Sequence, residues 1–318
     1  MSAGPPPVTF RTAAASSLDD FLAVSAHSPY QAELRAYTES LLEQRCTRLS
    51  WCVIATVADI PVARAAFWAP PGHPLPTDLV LIAADWDDPE LEVGRQLLAY
   101  MHDSARFLRA SALQHHVDAP PGAPQYQGDT SARIRLLADA GYELQRDGLR
   151  WHFAASAVGG FRASSRLTFR DLSESGDDEF VAAIASTYEG TRDSLLNRHI
   201  EEHGRIEAAR ADFCDYKQLE HRPDWWELAY RDDGTLVGVS MAARNPTSAV
   251  IAYVGVVPAQ RGNGFAAALV RRGTERLVTS GAREIRGDCD RDNTAMVKAF
   301  KRAGYEEVAR RRTYLRKL

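Results

Sequence analysis

The sequence predicts an α/β protein of mixed sheet and flanking helices, built as two copies of one unit. Three observations carry that expectation. Helical and strand periodicities alternate along both halves of the chain. A strand, a glycine-rich turn and an amphipathic helix follow one another between residues 249 and 280. A short signature also recurs, because Ala138-Asp139-Ala140-Gly141-Tyr142 matches Lys301-Arg302-Ala303-Gly304-Tyr305 and brings Trp151 opposite Tyr314.

A chain of 318 residues is long enough for two domains with real cores. It is 45% hydrophobic and 25% charged, which excludes a disordered or collagen-like chain. No apolar run reaches the roughly 18 residues a membrane span needs. Residues 1–7 have neither a basic nor an apolar leader segment, so cytoplasm is the expected compartment and no membrane partner is expected. Cys46, Cys52, Cys214 and Cys289 lack ligand spacing and read as reduced thiols. His115-His116 has no acidic or thiol partners at ligand spacing, so no metal site is expected. Net charge is −4, and the one basic block, Arg310-Arg311-Arg312, sits between apolar residues, which argues against a nucleic-acid partner. Only Lys217, Lys298, Lys301 and Lys317 are lysines, an arginine-heavy usage that fits a high-GC bacterial genome.

In order, residues 1–16 read as a frayed Pro/Ser/Ala-rich segment. Helical spacing covers 18–24 and 31–45; strands follow at 51–57, 61–68 and 78–84. An amphipathic helix at 91–109, a strand at 112–117, a Pro/Gly loop at 120–128, a helix at 131–140 and a strand at 149–153 end the first half. A linker of small residues, 154–160, sets the boundary between domains 1–160 and 161–318. The second half runs strand 166–170, helices 177–188 and 206–219, and a hairpin of 225–231 with 235–242 turned by Asp232-Asp233-Gly234. Strand 249–257, a helix to 280, strand 284–289, helix 294–303 and strand 308–315 complete it.

The turn in this series is Pro258-x-Gln260-Arg261-Gly262-Asn263-Gly264, leading into Phe265 and Ala266. Strand, glycine turn and helix form a cradle for phosphate. The first N–H groups of a helix lack partners, the dipole favours an anion, and glycine removes the Cβ that would block approach. Arg261 adds a cation with forked donors. Gly262-x-Gly264-x-x-Ala267 also fits a dinucleotide fingerprint, with Glu284 about 20 residues on as the ribose acid. Too little chain follows Gly264 for a doubly wound sheet, and four residues separate the strand from Gly262. The closer match is to the GNAT N-acetyltransferases, whose acyl-CoA pyrophosphate loop Gln260-Arg261-Gly262-x-Gly264-x-Ala266 resembles. The resemblance covers most of the chain, by motif in the second half and by element order in the first. It implies two tandem GNAT domains in a mycothiol-synthase-like arrangement. Each would be a mostly antiparallel mixed sheet with a splayed central strand pair.

The halves differ where that loop would lie. The first carries Trp86-Asp87-Asp88-Pro89-Glu90-Leu91-Glu92-Val93-Gly94, whose acids repel a pyrophosphate. It is therefore expected to be a degenerate domain that is structural or shapes the substrate site, with one acyl-CoA bound by the second half.

The resemblance implies an acyl-CoA co-substrate, with acetyl-CoA the first expectation and no metal. It implies acyl transfer to the primary amine of a small metabolite or antibiotic-like acceptor by direct attack in a ternary complex. The pyrophosphate falls to the backbone of residues 261–266 and the pantetheine arm to the strand edge at Val256 and Val257. A backbone N–H near Val257 would polarise the thioester, and Asn293 matches the asparagine that holds the arm. Asn293 also reads as a helix N-cap. The family's usual tyrosine acid is replaced by Phe300, and by Leu137 in the first half; Tyr253 is the substitute proton donor, or else a core aromatic. Asp288 and Asp290 share one strand face at period two and are expected to anchor the amine or take its proton, one with a raised pKa; the bland alternative is that Asp290 caps a turn. Glu227 is a further candidate base, and Trp225 and Trp226 candidate walls of the acceptor pocket. Competing expectations are an inactive acyl-CoA-binding module and a protein or peptide N-acetyltransferase. Monomer and homodimer are both compatible with the sequence.

Overall fold

Alternating β-branched and small apolar residues in the first half put one face of each strand into a core, and the turns between them close a meander. In the computed structural model, which describes residues 6–14, 18–24, 28–155, 167–245 and 247–318, the chain falls into two compact units. The first holds residues 1–145 and 311–318, the second residues 146–310.

In the first unit, β1 (Val8–Thr12), β2 (Cys52–Val57), β3 (Ile60–Trp68) and β4 (Asp78–Ala83) pair antiparallel in sequence order. β5 (Ala112–Ala119) lies parallel to β4, paired at Asp78↔Gln114, and the end of β12 (Glu306–Lys317) lies beside β5. α1 (Leu18–Ala23), α2 (Gln31–Glu43), α3 (Glu92–Phe107) and α4 (Thr130–Asp139) complete the unit. Its core gathers Trp51, Phe67, Leu97, Met101, Leu137 and Tyr314. β1 corrects the expectation of a frayed start. Val8 to Thr12 pair with Val57 to Val53, and Thr9 bonds Thr56 through their hydroxyls at 2.8 Å.

In the second unit the sheet order is β7 (Thr168–Asp171), β8 (Trp226–Tyr230), β9 (Leu236–Asn245), β10 (Ser248–Val256), β11 (Glu284–Asp290) and β6 (Glu143–Ala154). α5 (Leu172–Tyr188), α6 (Ser194–His203), α7 (Arg205–Tyr216), α8 (Phe265–Thr279) and α9 (Thr294–Arg302) flank it. Asp171 starts α5 with a capping box, accepting from the Ser173 and Glu174 N–H groups while Glu174 accepts from the Asp171 N–H. α6 was not expected from sequence. It is ten residues long with Leu195, Leu196 and Ile200 as its apolar residues, too short a run for helical periodicity to announce itself.

The first unit is not contiguous in sequence, unlike either side of a division at 160. The strand expected to close the first half pairs along β11, from Glu284↔Ala154 to Asp290↔Gly148, and residues 311–318 close the first unit's sheet. Internal sequence matching finds equivalent strands, but it does not say which sheet edge each one completes. Residues 156–166, with most of the expected linker, lie outside the described residues. All four cysteines are free, and only Cys214 is exposed.

Candidate active site

The site begins with a fault in β10. Ala252 has no partner in β9, because pairing steps from Ile251↔Ala242 to Tyr253↔Met241, a bulge that bends the strand. On the other edge, β10 pairs with β11 only at Ala249↔Ile285 and Val250↔Arg286 among the described residues. Beyond Val250 the two strands part, while β11 stays paired to β6 as far as Asp290. The splayed central pair that the resemblance implied is present.

Strand alternation fixes which backbone groups face the opening. The Val257 N–H donates to the Val237 carbonyl at 3.0 Å, and Gly255 lies opposite Val239 in the same register. Alternate residues therefore turn their N–H groups away from β9, and these are Val254 and Val256. The N–H expected near Val257 to polarise a carbonyl is thus committed at Val257 itself and available one residue earlier.

A single 3₁₀ turn, Pro258–Gln260, leads from β10 to the glycines. Gly262 and Gly264 have φ of 85° and 81°, a left-handed conformation that side chains disfavour, and a Cβ at either would meet nothing within 4 Å. The glycines are required by conformation, and the space beside them is open. Gly264 is the N-cap of α8 and supplies no side-chain acceptor, so the first-turn N–H groups of Phe265 and Ala266 have no cap. Asn263 buttresses the turn, its Nδ2 donating to the Gln260 carbonyl at 3.2 Å. Buried Gln260 accepts from Arg231.

Arg261 is placed differently from expectation. Its Nε donates to the Val256 carbonyl at 3.1 Å, Nη1 to Gly190 at 3.1 Å and Nη2 to Thr187 at 2.9 Å. The guanidinium ties the turn to the C-terminal end of α5, where carbonyls seek donors. Its forked donors serve the backbone, which leaves the anion cradle to glycine-turn and helix N–H groups.

Tyr253 points from the bulge toward α5, its hydroxyl bonded to Thr187 Oγ1. A Cβ at Gly255 would sit 2.5 Å from both hydroxyl oxygens, so only glycine admits this pair. Burial is the main force raising the Tyr253 phenol above its ordinary range, with Asp212 and Asp193 adding to it and Thr187 and Arg261 opposing. Tyr253 therefore keeps its proton, as a donor must.

The acids are more engaged than their spacing suggested. Buried Asp290 accepts from Arg146 Nε and, at 2.8 Å, from the Ser194 N–H at the start of α6. Asp288 is exposed and pairs with Arg150 at 3.4 Å. The two share a strand, but each faces its own arginine. Glu227 is buried on β8 and held by Arg272 at 2.7 and 2.8 Å and by Arg276 at 2.6 Å, an ion triad with α8. Asn293 caps α9, its Oδ1 accepting from the Met296 N–H at 3.3 Å. Trp225 and Trp226 are core residues, and the Trp226 indole donates to the Ala242 carbonyl at 2.9 Å. Phe300 is buried against Trp151, with ring centroids 5.5 Å apart.

Sequence reasoning missed the groups that pack over Tyr253. Tyr188 lies 6.1 Å away and Tyr216 5.9 Å away, centroid to centroid, and Asp212 accepts the Tyr188 hydroxyl and contacts His199 Nδ1 at 3.1 Å. Asp212 and Tyr216 are four apart on one face of α7, a usable signal, but α6 and its His199 had to be placed first.

Among the described residues no His, Cys, Asp or Glu side chains gather to hold a metal, and no helix is long and apolar enough to cross a membrane. Bulged strand, splayed neighbour and uncapped helix N-terminus together define an α/β protein with an anion-receiving cleft at the middle of its second sheet. Residues 188–305 match the model of the acetyltransferase (GNAT) family. Over 90 residues, 28% of the chain, it is 31% identical to an acetyltransferase of Yersinia pestis strain Pestoides F; those residues span 63% of that relative's length. An acetyltransferase of Pectobacterium atrosepticum is 32% identical over 92 residues, 29% of the chain and 64% of that relative. The whole fold is similar to a GCN5-related N-acetyltransferase from Sphaerobacter thermophilus, with a TM-score of 0.60, 17% identity, and 98% and 96% of the two chains covered. It is also similar to a tandem GNAT protein from the clavulanic acid biosynthesis pathway, with a TM-score of 0.54, 16% identity and 98% of each chain covered.

Proposed function

We propose that the chain is an acyl-CoA-dependent N-acyltransferase, with acetyl-CoA as donor and the primary amine of a small molecule as acceptor. The observation that carries this reading is the continuity of the cleft. N–H groups of Val254 and Val256 face the gap left by β11, and the same strand runs through the glycine turn into the uncapped start of α8. An extended amide-bearing arm ending in phosphates meets a strand edge first and a helix N-terminus second.

In this scheme the backbone from 262 to 266 holds the pyrophosphate, and Asn263 and Arg261 shape the turn without touching it. The Val256 N–H stabilises the oxygen that becomes negative when the amine attacks the thioester carbon. The C–N bond forms and the C–S bond breaks; the attacking nitrogen gives up a proton to water, and Tyr253 passes its phenolic proton to the thiolate and takes one back from water. Asp288 and Asp290 serve by position, Asp290 by fixing the start of α6. Glu227 holds α8 in place. The first unit is structural or shapes the acceptor site, and the cytoplasm is the compartment this chemistry fits.

Incubating the protein with acetyl-CoA and a panel of primary amines, and following thiol release, tests the reading. Amine-dependent release supports it. Saturable CoA binding with no release on any amine would establish an acyl-CoA-binding module, the reading that Phe300 at the family's tyrosine position favours.

A further inference from the structure

An amine acceptor arrives as a cation, and the elements packed over Tyr253 combine aromatic faces with one acid suited to receive it. Tyr253 and Tyr216 are both partly exposed, while Tyr188 is buried and fixes the Asp212 carboxylate through its hydroxyl. Ring faces attract cations, more strongly where water is thin. The neighbouring charges are already matched. Arg146 is shared by Asp290 and Asp193, and Arg261 is spent on carbonyls. Asp212 is contacted by His199 Nδ1 at 3.1 Å. Around His199 stand Asp212 and Asp215 from α7, His203 on α6 with its ring 5.0 Å away, and Tyr188 of α5 behind Asp212. Asp215 is itself pushed upward, chiefly by burial and then by Asp212, with His199 opposing.

We propose that Tyr216, Tyr253 and Asp212 form the subsite for the acceptor's ammonium group. The identity of the ligand rests on the acyltransferase reading, whereas the preference for a cation rests on the geometry.

Calorimetry on the full chain with benzylamine, and with benzyl alcohol as its neutral counterpart, tests this without any acyl transfer. Benzylamine is expected to bind at least tenfold more tightly than benzyl alcohol. Asp212→Asn removes the preference for the amine. Because Asp212 also holds Tyr188, the Asp212→Asn variant is checked by thermal melting; if it unfolds, Tyr216→Leu carries the test by losing benzylamine affinity. Equal binding of the two probes to wild type, no binding of benzylamine, or undiminished benzylamine affinity in Tyr216→Leu overturns the proposal. Cation binding without thiol release on any amine would sink the acyltransferase reading and leave the subsite standing. Amine acetylation undiminished in a folded Asp212→Asn variant would do the reverse.

Discussion

Each unit contains a parallel strand pair that comes apart, β4 with β5 and β10 with β11, and the two gaps differ in what fills them. In the second unit the strand N–H groups at Val254 and Val256 and the start of α8 have no internal acceptor among the described residues. In the first unit both kinds of donor are satisfied from within. The Leu81 N–H donates to Gln125 Oε1 at 3.1 Å, from the loop between β5 and α4. The Glu92 N–H at the start of α3 donates to Asp88 Oδ2 at 2.9 Å. One half satisfies from its own chain the two kinds of donor that the other half leaves open. Asp87, Asp88, Glu90 and Glu92 add negative charge beside the filled helix start of the first unit.

The largest expected effect lies at the paired glycines. Gly264→Val should lower acyl-CoA affinity by about a hundredfold or more, near 3 kcal/mol, and its left-handed φ should cost about 1–3 kcal/mol of stability as well. Gly94→Val should lower stability while sparing acyl-CoA affinity, because a Cβ there would lie 3.1 Å from Leu136 and added methyls overpack the α3–α4 contact. Calorimetry and melting of both variants separate ligand space from packing space; unchanged CoA binding in Gly264→Val refutes the cradle. The same titration should saturate at one equivalent per chain, and two equivalents would erase the distinction between the units.

Next in size is Tyr253→Phe, expected to lower kcat by about a hundredfold with acyl-CoA affinity nearly unchanged. A small effect on kcat would move the proton donor to water. Acid should then separate the units. Burial first, then Arg133, pushes His115 down to about 3, and burial with Arg316 and Arg106 pushes His102 down to about 4, from 6.5. Unfolding exposes rings that bind protons near 6.5, so their stabilisation is whole above that pH and is lost as pH falls toward 4. A loss of a few kcal/mol between neutrality and pH 5, reduced in His115→Gln, is expected by urea titration; identical slopes in the two proteins would refute it. The smallest effect belongs to Gln125→Ala, about 1 kcal/mol for the lost bond to Leu81, with CoA stoichiometry still at one because Asp88 continues to fill the helix end.

Much of this was legible in the chain. The run from Val254 to Leu269 declares strand, turn and helix because proline and two glycines punctuate it locally, and the splayed pair followed from resemblance. Local signals failed where a side chain's partner is remote. Arg261 looked like a phosphate ligand, yet its acceptors lie on α5; Asp290 looked like half of a carboxylate pair, yet it belongs to Arg146 and α6. The period-two spacing of Asp288 and Asp290 was real, but spacing within a strand says nothing about the neighbouring strand, and β6 brought an arginine to each. α6 itself is too short for its periodicity to stand out, and His199 went with it.

The closing of the first sheet by residues 311–318 bears on how the chain is made. During synthesis the first unit emerges early but lacks its final strand until residues 311–318 have followed the second unit, so β5 waits with an open edge for nearly the whole of the second half. Such an edge invites pairing with another nascent chain, and a break in the chain before residue 311 would injure the unit that is synthesised first. Of the two units, the first to start is the last to finish.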